Sequence, residues 1–397
     1  MRRYFIILTA GWMLPAIIVL CINLLIDPYR IFHKPWVRDN YYLYSGSGMR
    51  ISDSGIINTE SFNSIILGTS IAENFSPAEA SRIFGGQFVN LSLSGSSIAE
   101  RSLVLNYALE KRNLNVVIDS LDWGALDIAT PANSSIAPFA YLYDDSYLND
   151  AILYVNPKIL RFAFCGNIFV SSDRPCPDTR KDIEHLTEWY SDPDARKRFG
   201  GLHNWLDNRN NSQIQDALAR ISKSIKSIDS GQVKTVDWAE VARDTSMRKI
   251  VFRDYLLKYA VKHPEVKFYL FFPPYSRLSF AIEKQSDPQA FEVYLETLRF
   301  VVRESGKYDN VKIFGFESES FLDDIANYKD TFHYHQRINS EMLHWMKNGD
   351  HQLTASNLDG YIKEITGRAA NYPVKNIGAQ IDAYLRQLPG AGSPLIR

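Results

Sequence analysis

The sequence predicts an α/β fold around a mainly parallel sheet, and two features lead to that prediction. Residues 65–67 are a continuous apolar run, as expected of a parallel strand covered on both faces, and Gly68 follows the run. Further short apolar runs alternate with helix-start patterns along the chain. Because strands separated by capped helices are typical of right-handed βαβ units, we expect their carboxyl ends to share one edge of a sheet.

The predicted strands are short and apolar, and turn or helix signals separate them. They lie at 64–67, 88–93, 116–121, 267–272 and 311–314. Two of the intervening helices begin with a capping box, formed by Ser76 with Glu79 and by Ser97 with Glu100. Further helices are expected at 150–164 (interrupted near 156–157), 238–262, 287–304, 338–346, 357–367 and 377–387.

The domain organisation follows from changes in composition along the chain. The chain has 397 residues, of which 45% are hydrophobic, which is enough for one large domain with an insertion. We predict a connector at 31–60, an α/β domain at 61–350 with an insertion at about 124–235, and a helical tail at 351–397. Long loops in compact domains are usually functional or flexible, so we interpret the insertion as a cap that faces the substrate.

Residues 1–30 predict a signal anchor. Arg2 and Arg3 precede about 23 uncharged residues, a stretch long enough to cross a bilayer as one helix. No small-x-small cleavage site follows, so we predict an uncleaved transmembrane helix rather than a removed signal peptide. The expected location is a bacterial inner membrane, crossed once, with the α/β domain in the periplasm or outside the cell. A buried core helix is the alternative.

Charge and cysteine content limit the functional classes. Forty-four basic and 45 acidic residues leave a formal net charge of -1, so nothing indicates a nucleic-acid partner. Cys165 and Cys176 could close a small disulfide loop in an oxidising compartment, with two unpaired thiols as the alternative. There is no Cys-x-x-Cys motif to support a zinc ribbon, and we expect neither a metal nor a cofactor.

The candidate chemistry centres on Ser70, which follows the first predicted strand in the order Gly68-Thr69-Ser70. A serine hydroxyl is a poor nucleophile at neutral pH and needs a base that an acid orients. Asp330 and His333 stand three residues apart after the last predicted strand, so Asp330 can hold one ring nitrogen and leave the other for Ser70. The alternatives are a turn serine, a surface histidine, and a metal cluster that includes His335.

A strand followed by Gly-x-Ser near the start of a domain, with Asp-x-x-His near its end, resembles the SGNH (GDSL-type) hydrolases. The wider context resembles the membrane-anchored bacterial branch of that superfamily, which includes the alginate O-acetylation proteins and the DltD-like proteins. The resemblance covers about residues 60–125 and 265–346 and implies a flavodoxin-like three-layer fold. It also implies that Ser70 is the nucleophile, His333 the base and Asp330 its orienting acid.

The resemblance assigns an oxyanion site as well, with two departures from the family pattern. Gly95, after the second strand, matches the glycine whose amide faces the oxyanion together with the Ser70 amide. Thr69 stands where the family has Asp, and Asp122 stands where the family supplies an Asn side chain. An ionised carboxylate cannot donate to an oxyanion, and the loss of one donor costs about 10²–10³ in rate.

Tyr275, after the fourth strand, is expected to shape the rim of the site and to stack on a sugar, with a rigid turn as the alternative.

Together with the resemblance, these residues imply a serine O-acyltransferase or esterase that acts on an envelope or secreted polysaccharide through an acyl-serine intermediate. The resemblance also implies a membrane-bound partner that delivers the acyl group. The alternative is a non-catalytic SGNH-like scaffold that binds glycan or a membrane partner during exopolysaccharide assembly, which the missing Asn favours. A third hypothesis is a metal-dependent hydrolase that uses Asp330, His333 and His335.

Overall fold

A computed structural model describes residues 2–34, 44, 48–124, 126–127, 131–156, 159, 182–233 and 235–387. The strands in chain order are β1 (Ser64–Leu67), β2 (Phe88–Asn90), β3 (Val116–Ser120), β4 (Lys267–Phe272), β5 (Val311–Gly315) and β6 (Gln352–Leu353). They form one six-stranded sheet in the order β2-β1-β3-β4-β5-β6.

Strands β1 to β5 are parallel to their neighbours, and only β6 is antiparallel, to β5. Ser64 of β1 stands opposite Phe88 on one side and Val116 on the other. Every residue of β1, β2 and β3 is buried, as a parallel sheet covered on both faces requires. The prediction of an α/β fold with a mainly parallel sheet is confirmed, whereas the two-residue strand β6 was not predicted.

The path of the chain creates a crevice beside β1. From β1 the chain moves outward to β2 and then returns across β1 to β3. The direction of the connections therefore reverses at β1, and open α/β sheets bind ligands outside the carboxyl ends of the strands at such a point.

Helices precede, connect and follow the strands. The α-helices are α1 (Arg2–Ile26), α2 (Gly48–Thr59), α3 (Pro77–Phe84), α4 (Ile98–Lys111), α5 (Tyr147–Asp150), α6 (Pro193–Arg196), α7 (Leu202–Asp207), α8 (Ser212–Asp229), α9 (Trp238–Phe252), α10 (Lys258–Lys262), α11 (Arg277–Ser286), α12 (Pro288–Ser305), α13 (Gln336–Asn348), α14 (Leu358–Asn371) and α15 (Val374–Arg386). A π-helical turn, Arg253–Leu257, joins α9 to α10. Short 3₁₀ segments lie at Pro131–Asn133, Ala137–Tyr143, Ala151–Val155, Ser320–Asp323 and Ile325–Asn327.

Both predicted capping serines cap their helices. The Ser76 hydroxyl accepts from the Glu79 amide at 3.0 Å, and the Ser97 hydroxyl accepts from the Glu100 amide at 3.2 Å. Each bond satisfies an amide that has no partner within the first helical turn. The helix expected at 150–164 differs from its prediction, because α5 ends at Asp150 and a 3₁₀ segment follows it.

Two segments predicted as a connector and a tail are packed parts of the domain. Helix α2 lies within the predicted connector, and nine of its residues are buried, among them Asp53. Helices α14 and α15 in the predicted tail bury Ile362 and Ile377. Gln285 Nε2 of α11 donates to Ala369 O at 2.9 Å, which fixes the end of α14 against the domain.

The predicted signal anchor needs a correction. Within the part of the chain that the structure describes, no helix combines the length and the hydropathy needed to cross a membrane. This finding overturns the predicted transmembrane helix at 1–30 and the predicted single-pass location in an inner membrane. The last turns of α1 pack on the domain instead: Leu20 and Leu24 contact its core, and the buried Asn23 donates Nδ2 to Tyr154 O at 2.8 Å.

Candidate active site

Ser70 lies in a turn just past the end of β1, and close packing holds that turn in place. Gly68 has no room for a side chain, because a Cβ there would lie 2.5 Å from Ala72 Cβ and 2.7 Å from Ser120 Oγ. Asn90 Nδ2 donates to Ala72 O at 2.9 Å and fixes the far side of the turn to the end of β2. The turn therefore presents Ser70 at the carboxyl edge of the sheet, beside the crevice.

His333 lies on the loop between β5 and α13, and hydrogen bonds close this loop on itself. Asp330 Oδ1 accepts from the amides of Phe332 at 2.8 Å and His333 at 2.9 Å. The Lys329 amide donates to His333 O at 3.0 Å. The position of the Asp330 carboxylate relative to the imidazole is therefore set by the backbone of the loop.

Ser70, His333 and Asp330 form one continuous chain of contacts, as the sequence predicts. Ser70 Oγ lies 2.9 Å from His333 Nε2, and His333 Nδ1 lies 2.7 Å from Asp330 Oδ2. Asp330 is only 3% exposed. Burial acts to raise the pKa of Asp330, but the charge and the hydrogen bond of His333 outweigh it and hold this pKa well below its usual range. Asp330 is therefore ionised at neutral pH and can orient the imidazole.

Gly95 lies in a tight turn at the same cleft as Ser70. The Ser96 amide donates to Leu93 O at 3.1 Å, which places Gly95 at the third position of a β-turn with a φ of 66°. Among the described residues, the amides of Ser70 and Gly95 donate to no protein acceptor, and both residues line the cleft. Two free amides at one cleft match the donor pair that an oxyanion site needs.

Asp122 stands where the SGNH pattern has Asn, and both of its carboxylate oxygens accept hydrogen bonds from neighbouring hydroxyls. The Thr69 hydroxyl donates to Asp122 Oδ1 at 2.7 Å, and the Tyr275 hydroxyl donates to the same oxygen at 3.2 Å. The Ser120 hydroxyl donates to Oδ2, and Arg101 Nη2 lies 3.7 Å from that oxygen. The two departures from the SGNH pattern, at 69 and 122, thus contact each other and tie the Ser70 turn, residues 69–74, to the end of β3.

Tyr275 lines the cleft but is only 6% exposed. Its ring packs edge-to-face on Phe332, with centroids 5.1 Å apart, and its hydroxyl is directed at Asp122. Neighbouring side chains therefore cover most of the ring that was expected to stack on a sugar, and these contacts favour the rim-shaping role.

The cleft itself has a volume of about 510 Å³ and includes charged residues that the sequence did not single out. Arg220 of α8 lies over the Phe332 ring at 4.4 Å and donates Nη2 to Glu283 Oε1 of α11 at 2.8 Å. Burial raises the pKa of Glu283, and Arg220 opposes that rise. No local pattern marks this pair, because its members come from separate helices that meet only in the folded domain.

Sequence reasoning also missed two side chains close to His333 and Ser70. Trp189, from the insertion, donates Nε1 to Ser70 O at 2.7 Å. Lys329 is 4% exposed and lies 4.1 Å above the Trp189 ring. The adjacency of Lys329 to Asp330 in the sequence was the one available signal.

His335 does not join the Ser70 site as a metal ligand. Its Nε2 is hydrogen-bonded to the Tyr190 hydroxyl, and its Nδ1 accepts from the Arg337 amide at 3.2 Å at the start of α13. Over the described residues, no group of three or more His, Cys, Asp or Glu side chains is placed to hold a metal ion. Cys165 and Cys176 lie outside the described residues.

No protein-family model, curated protein or solved structure matches this chain. The residues of the cleft offer a hydroxyl with an adjacent imidazole, a buried carboxylate behind that imidazole, two free amides, and a lining that combines polar side chains with apolar surface.

Proposed function

We propose that this protein is a serine esterase or O-acyltransferase that works through an acyl-serine intermediate on Ser70. The observation that carries the proposal is the chain of contacts from Ser70 Oγ to His333 at 2.9 Å and from His333 to Asp330 at 2.7 Å. A serine in this arrangement can attack an ester carbonyl, because the imidazole accepts its proton as the new bond forms.

The reaction has two halves, and His333 moves a proton in both. In the first, His333 Nε2 accepts the Ser70 proton while Oγ bonds to the acyl carbon, and the amides of Ser70 and Gly95 stabilise the oxyanion. The intermediate collapses, the alcohol leaves with the proton from His333, and Ser70 stays acylated. In the second half, water or a sugar hydroxyl attacks with His333 as base, and Ser70 regains its proton. Asp330 remains ionised and orients the imidazole throughout.

A relationship to the SGNH hydrolases is part of this proposal. The order of the first five strands, β2-β1-β3-β4-β5, is that of flavodoxin-like sheets, which supports a flavodoxin-like three-layer fold. Ser70 follows β1, Gly95 follows β2 and His333 follows β5, in the order that the resemblance implies. The hydrogen bond between Thr69 and Asp122 joins the two positions at which this chain departs from the SGNH pattern.

The proposed substrate is a hydroxyl-rich polymer, namely an envelope or secreted polysaccharide. Hydroxyl and charged side chains line part of the cleft, including Ser96, Ser97, Arg220 and Glu283, beside the apolar surface of Trp123 and Phe332. The polar side chains can hydrogen-bond to sugar hydroxyls, whereas a long acyl chain would leave those side chains without partners. A partner protein would supply the acyl group where the reaction is a transfer.

The test is covalent labelling of the full-length protein with a fluorophosphonate probe, with the adduct located by mass spectrometry. We expect labelling at Ser70 that disappears in Ser70→Ala and in His333→Ala. Ser94→Ala is the matched control, because Ser94 lies in the neighbouring turn and is exposed. Labelling spread over several serines, or labelling that survives in His333→Ala, would refute the assignment.

The second candidate function is a non-catalytic scaffold that binds glycan. The hydrogen bonds that Asp122 accepts favour the scaffold, because the third oxyanion donor of the family pattern is missing at this position. Folded wild-type protein that shows no labelling at all would transfer the assignment to the scaffold, and glycan binding without turnover would then be measured directly.

A further inference from the structure

The insertion docks, through a loop at 187–190, on the Ser70 turn at 69–74. The Thr187 hydroxyl donates to Glu73 O at 2.6 Å, and the Trp189 amide donates to Asn74 Oδ1 at 3.2 Å. Glu73 and Asn74 belong to the same turn as Ser70. Hydrogen bonds that do not involve the indole ring therefore hold the backbone of Trp189 against the Ser70 turn.

The Trp189 side chain contacts both the nucleophile and the base. Its Nε1–H donates to the backbone carbonyl of Ser70 at 2.7 Å. Its ring meets the His333 imidazole edge-to-face, with centroids 5.5 Å apart and planes at 88°. Trp189 thus contacts both the turn that carries Ser70 and the loop that carries His333. The separation of this turn and this loop sets the distance between Ser70 Oγ and His333 Nε2.

Two further groups hold the indole ring in this position. Lys329 Nζ lies 4.1 Å above the ring and donates to Gln213 Oε1 at 3.0 Å. The Phe199 ring lies nearly parallel to the indole, at 6° and with centroids 6.4 Å apart. A desolvated cation over an indole is strongly attracted to its face. Burial lowers the pKa of Lys329 to about 8, a fall that the charge of Asp330 opposes, so Lys329 is still mainly a cation at neutral pH.

We propose that Trp189 is a positioning residue for the serine reaction, an inference that rests on the function proposed above. Trp189 fixes the carbonyl of Ser70 and restricts rotation of the His333 ring, and so keeps Oγ within reach of Nε2. A displacement of about 1 Å at reacting groups can cost on the order of 10²-fold in rate. The insertion therefore contributes to the geometry of the reaction as well as to the walls of the cleft.

The test compares full-length Trp189→Phe, Trp189→Ala and a matched control, Trp345→Phe, by the kinetics of fluorophosphonate labelling at Ser70. Trp345 is a partly buried tryptophan that packs on Phe316 and Phe321. The maximal rate constant, the half-saturating probe concentration and the labelled fraction are measured separately. A purely structural role lowers the labelled fraction, whereas a positioning role lowers the rate constant of the fraction that reacts.

We expect Trp189→Phe to lower the maximal rate constant about fivefold to tenfold, because it keeps a ring but removes one hydrogen-bond donor. Trp189→Ala removes the ring as well, and we expect a loss of roughly 100-fold. The half-saturating probe concentration should change by less than about twofold, since Trp189 contacts the reacting residues and not the leaving group. Trp345→Phe should react like wild type.

The outcomes separate this inference from the function on which it rests. Trp189→Phe that labels fully and at the wild-type rate overturns the positioning role and leaves the proposed function intact. An equal loss of rate in Trp345→Phe also overturns it, because the effect would then be general. Absence of labelling in folded wild-type protein refutes the proposed function, and the positioning role with it. Where Trp189→Ala does not fold, Trp189→Phe decides the question.

Discussion

Ser70 Oγ lies 2.9 Å from His333 Nε2, although 263 residues separate the two in the chain. Strands β3 and β4 lie between β1 and β5, so three strand spacings, roughly 14 Å in all, separate the strands that precede these residues. The loops after the strands must therefore approach each other across the edge of the sheet. The Ser276 hydroxyl, just past β4, supports the second loop by donating to Thr331 O at 2.7 Å. The contact depends on these loop structures as much as on the sheet.

Asp330→Asn should sharply slow the labelling of Ser70. The amide cannot act as the ionised acceptor for His333 Nδ1–H, so the imidazole loses the orientation that directs Nε2 at the hydroxyl. We expect a loss of roughly 10²–10⁴-fold in labelling rate at neutral pH, with the fold retained. The exposed Asp359, paired with Arg299 at 2.6 Å, provides the matched control Asp359→Asn. A rate within twofold of wild type would mean that Asp330 does not orient the base.

Asp122→Asn should destabilise the protein without accelerating the reaction. The carboxylate accepts from Thr69, Ser120 and Tyr275, and an amide nitrogen in place of one oxygen would face a donor. The loss of such buried bonds costs about 1–3 kcal/mol of unfolding free energy, which urea denaturation would measure. Since the side chain faces these partners, an Asn at this position should not supply an oxyanion donor. A tenfold gain in labelling rate would show that it does.

Alanine at Gly68 and alanine at Gly95 should have different effects. At Gly68 the new Cβ would lie 2.5 Å from Ala72 Cβ, and overpacking of this kind costs about 3 kcal/mol. At Gly95, apart from its two chain neighbours, no atom of the described residues lies within 4 Å of the new Cβ, so the cost is that of the left-handed backbone conformation, about 1 kcal/mol. Unfolding midpoints of the two variants measure this difference. Equal destabilisation would contradict the packing that the structure describes around Gly68.

The free energy of unfolding should fall as the pH rises, because the folded protein raises the pKa of Glu317. Burial is the largest cause that raises its pKa, from the ordinary 4.5 to about 7, although the hydroxyls of Tyr294 and Tyr361 donate to the carboxylate. A group whose folded-state pKa is raised contributes stability that is complete below its unfolded pKa and is lost as the pH rises through about 7. The expected loss between pH 5 and pH 8 is on the order of 3 kcal/mol.

Glu317→Gln carries no charge at any pH in that range and should lack this part of the decline. The measurement is the unfolding free energy of both proteins at intervals from pH 5 to pH 8. The difference between the two curves is the relevant quantity, because other titrating groups are common to both proteins. Parallel curves would mean that Glu317 titrates in the folded protein as it does in water.

Local signals explain what was predictable about the fold. Strand β4 lies at the predicted positions 267–272, because its apolar run is bounded by polar residues and prolines. The serines at 76 and 97 cap their helices because a hydroxyl there satisfies amides only three residues away. Helix α2 was missed because Asp53 and Ser54 are among its buried residues, and buried polar residues interrupt the hydrophobic period.

The wrong prediction of a membrane anchor has a related cause. An uncharged run of residues has the same appearance in a sequence whatever covers it, so composition alone did not reveal that the end of α1 packs on the domain. The contact of Asn23 with Tyr154 joins positions 131 residues apart, and no local pattern encodes it. Strand β6 was also missed, because it is only two residues long and is defined by its pairing with β5, which no local pattern encodes.

The sequence by itself determined the class of sheet and the starts of several helices, and it singled out Ser70, Asp330 and His333 as candidates, because each depends on chemistry or periodicity within a few neighbouring positions. Tertiary structure decided that Ser70 and His333 meet, that Asp122 binds Thr69, and that Trp189 contacts both Ser70 and His333. These contacts join segments that are far apart in the chain. Packing and hydrogen bonding select such partners only after the sheet has brought the segments together.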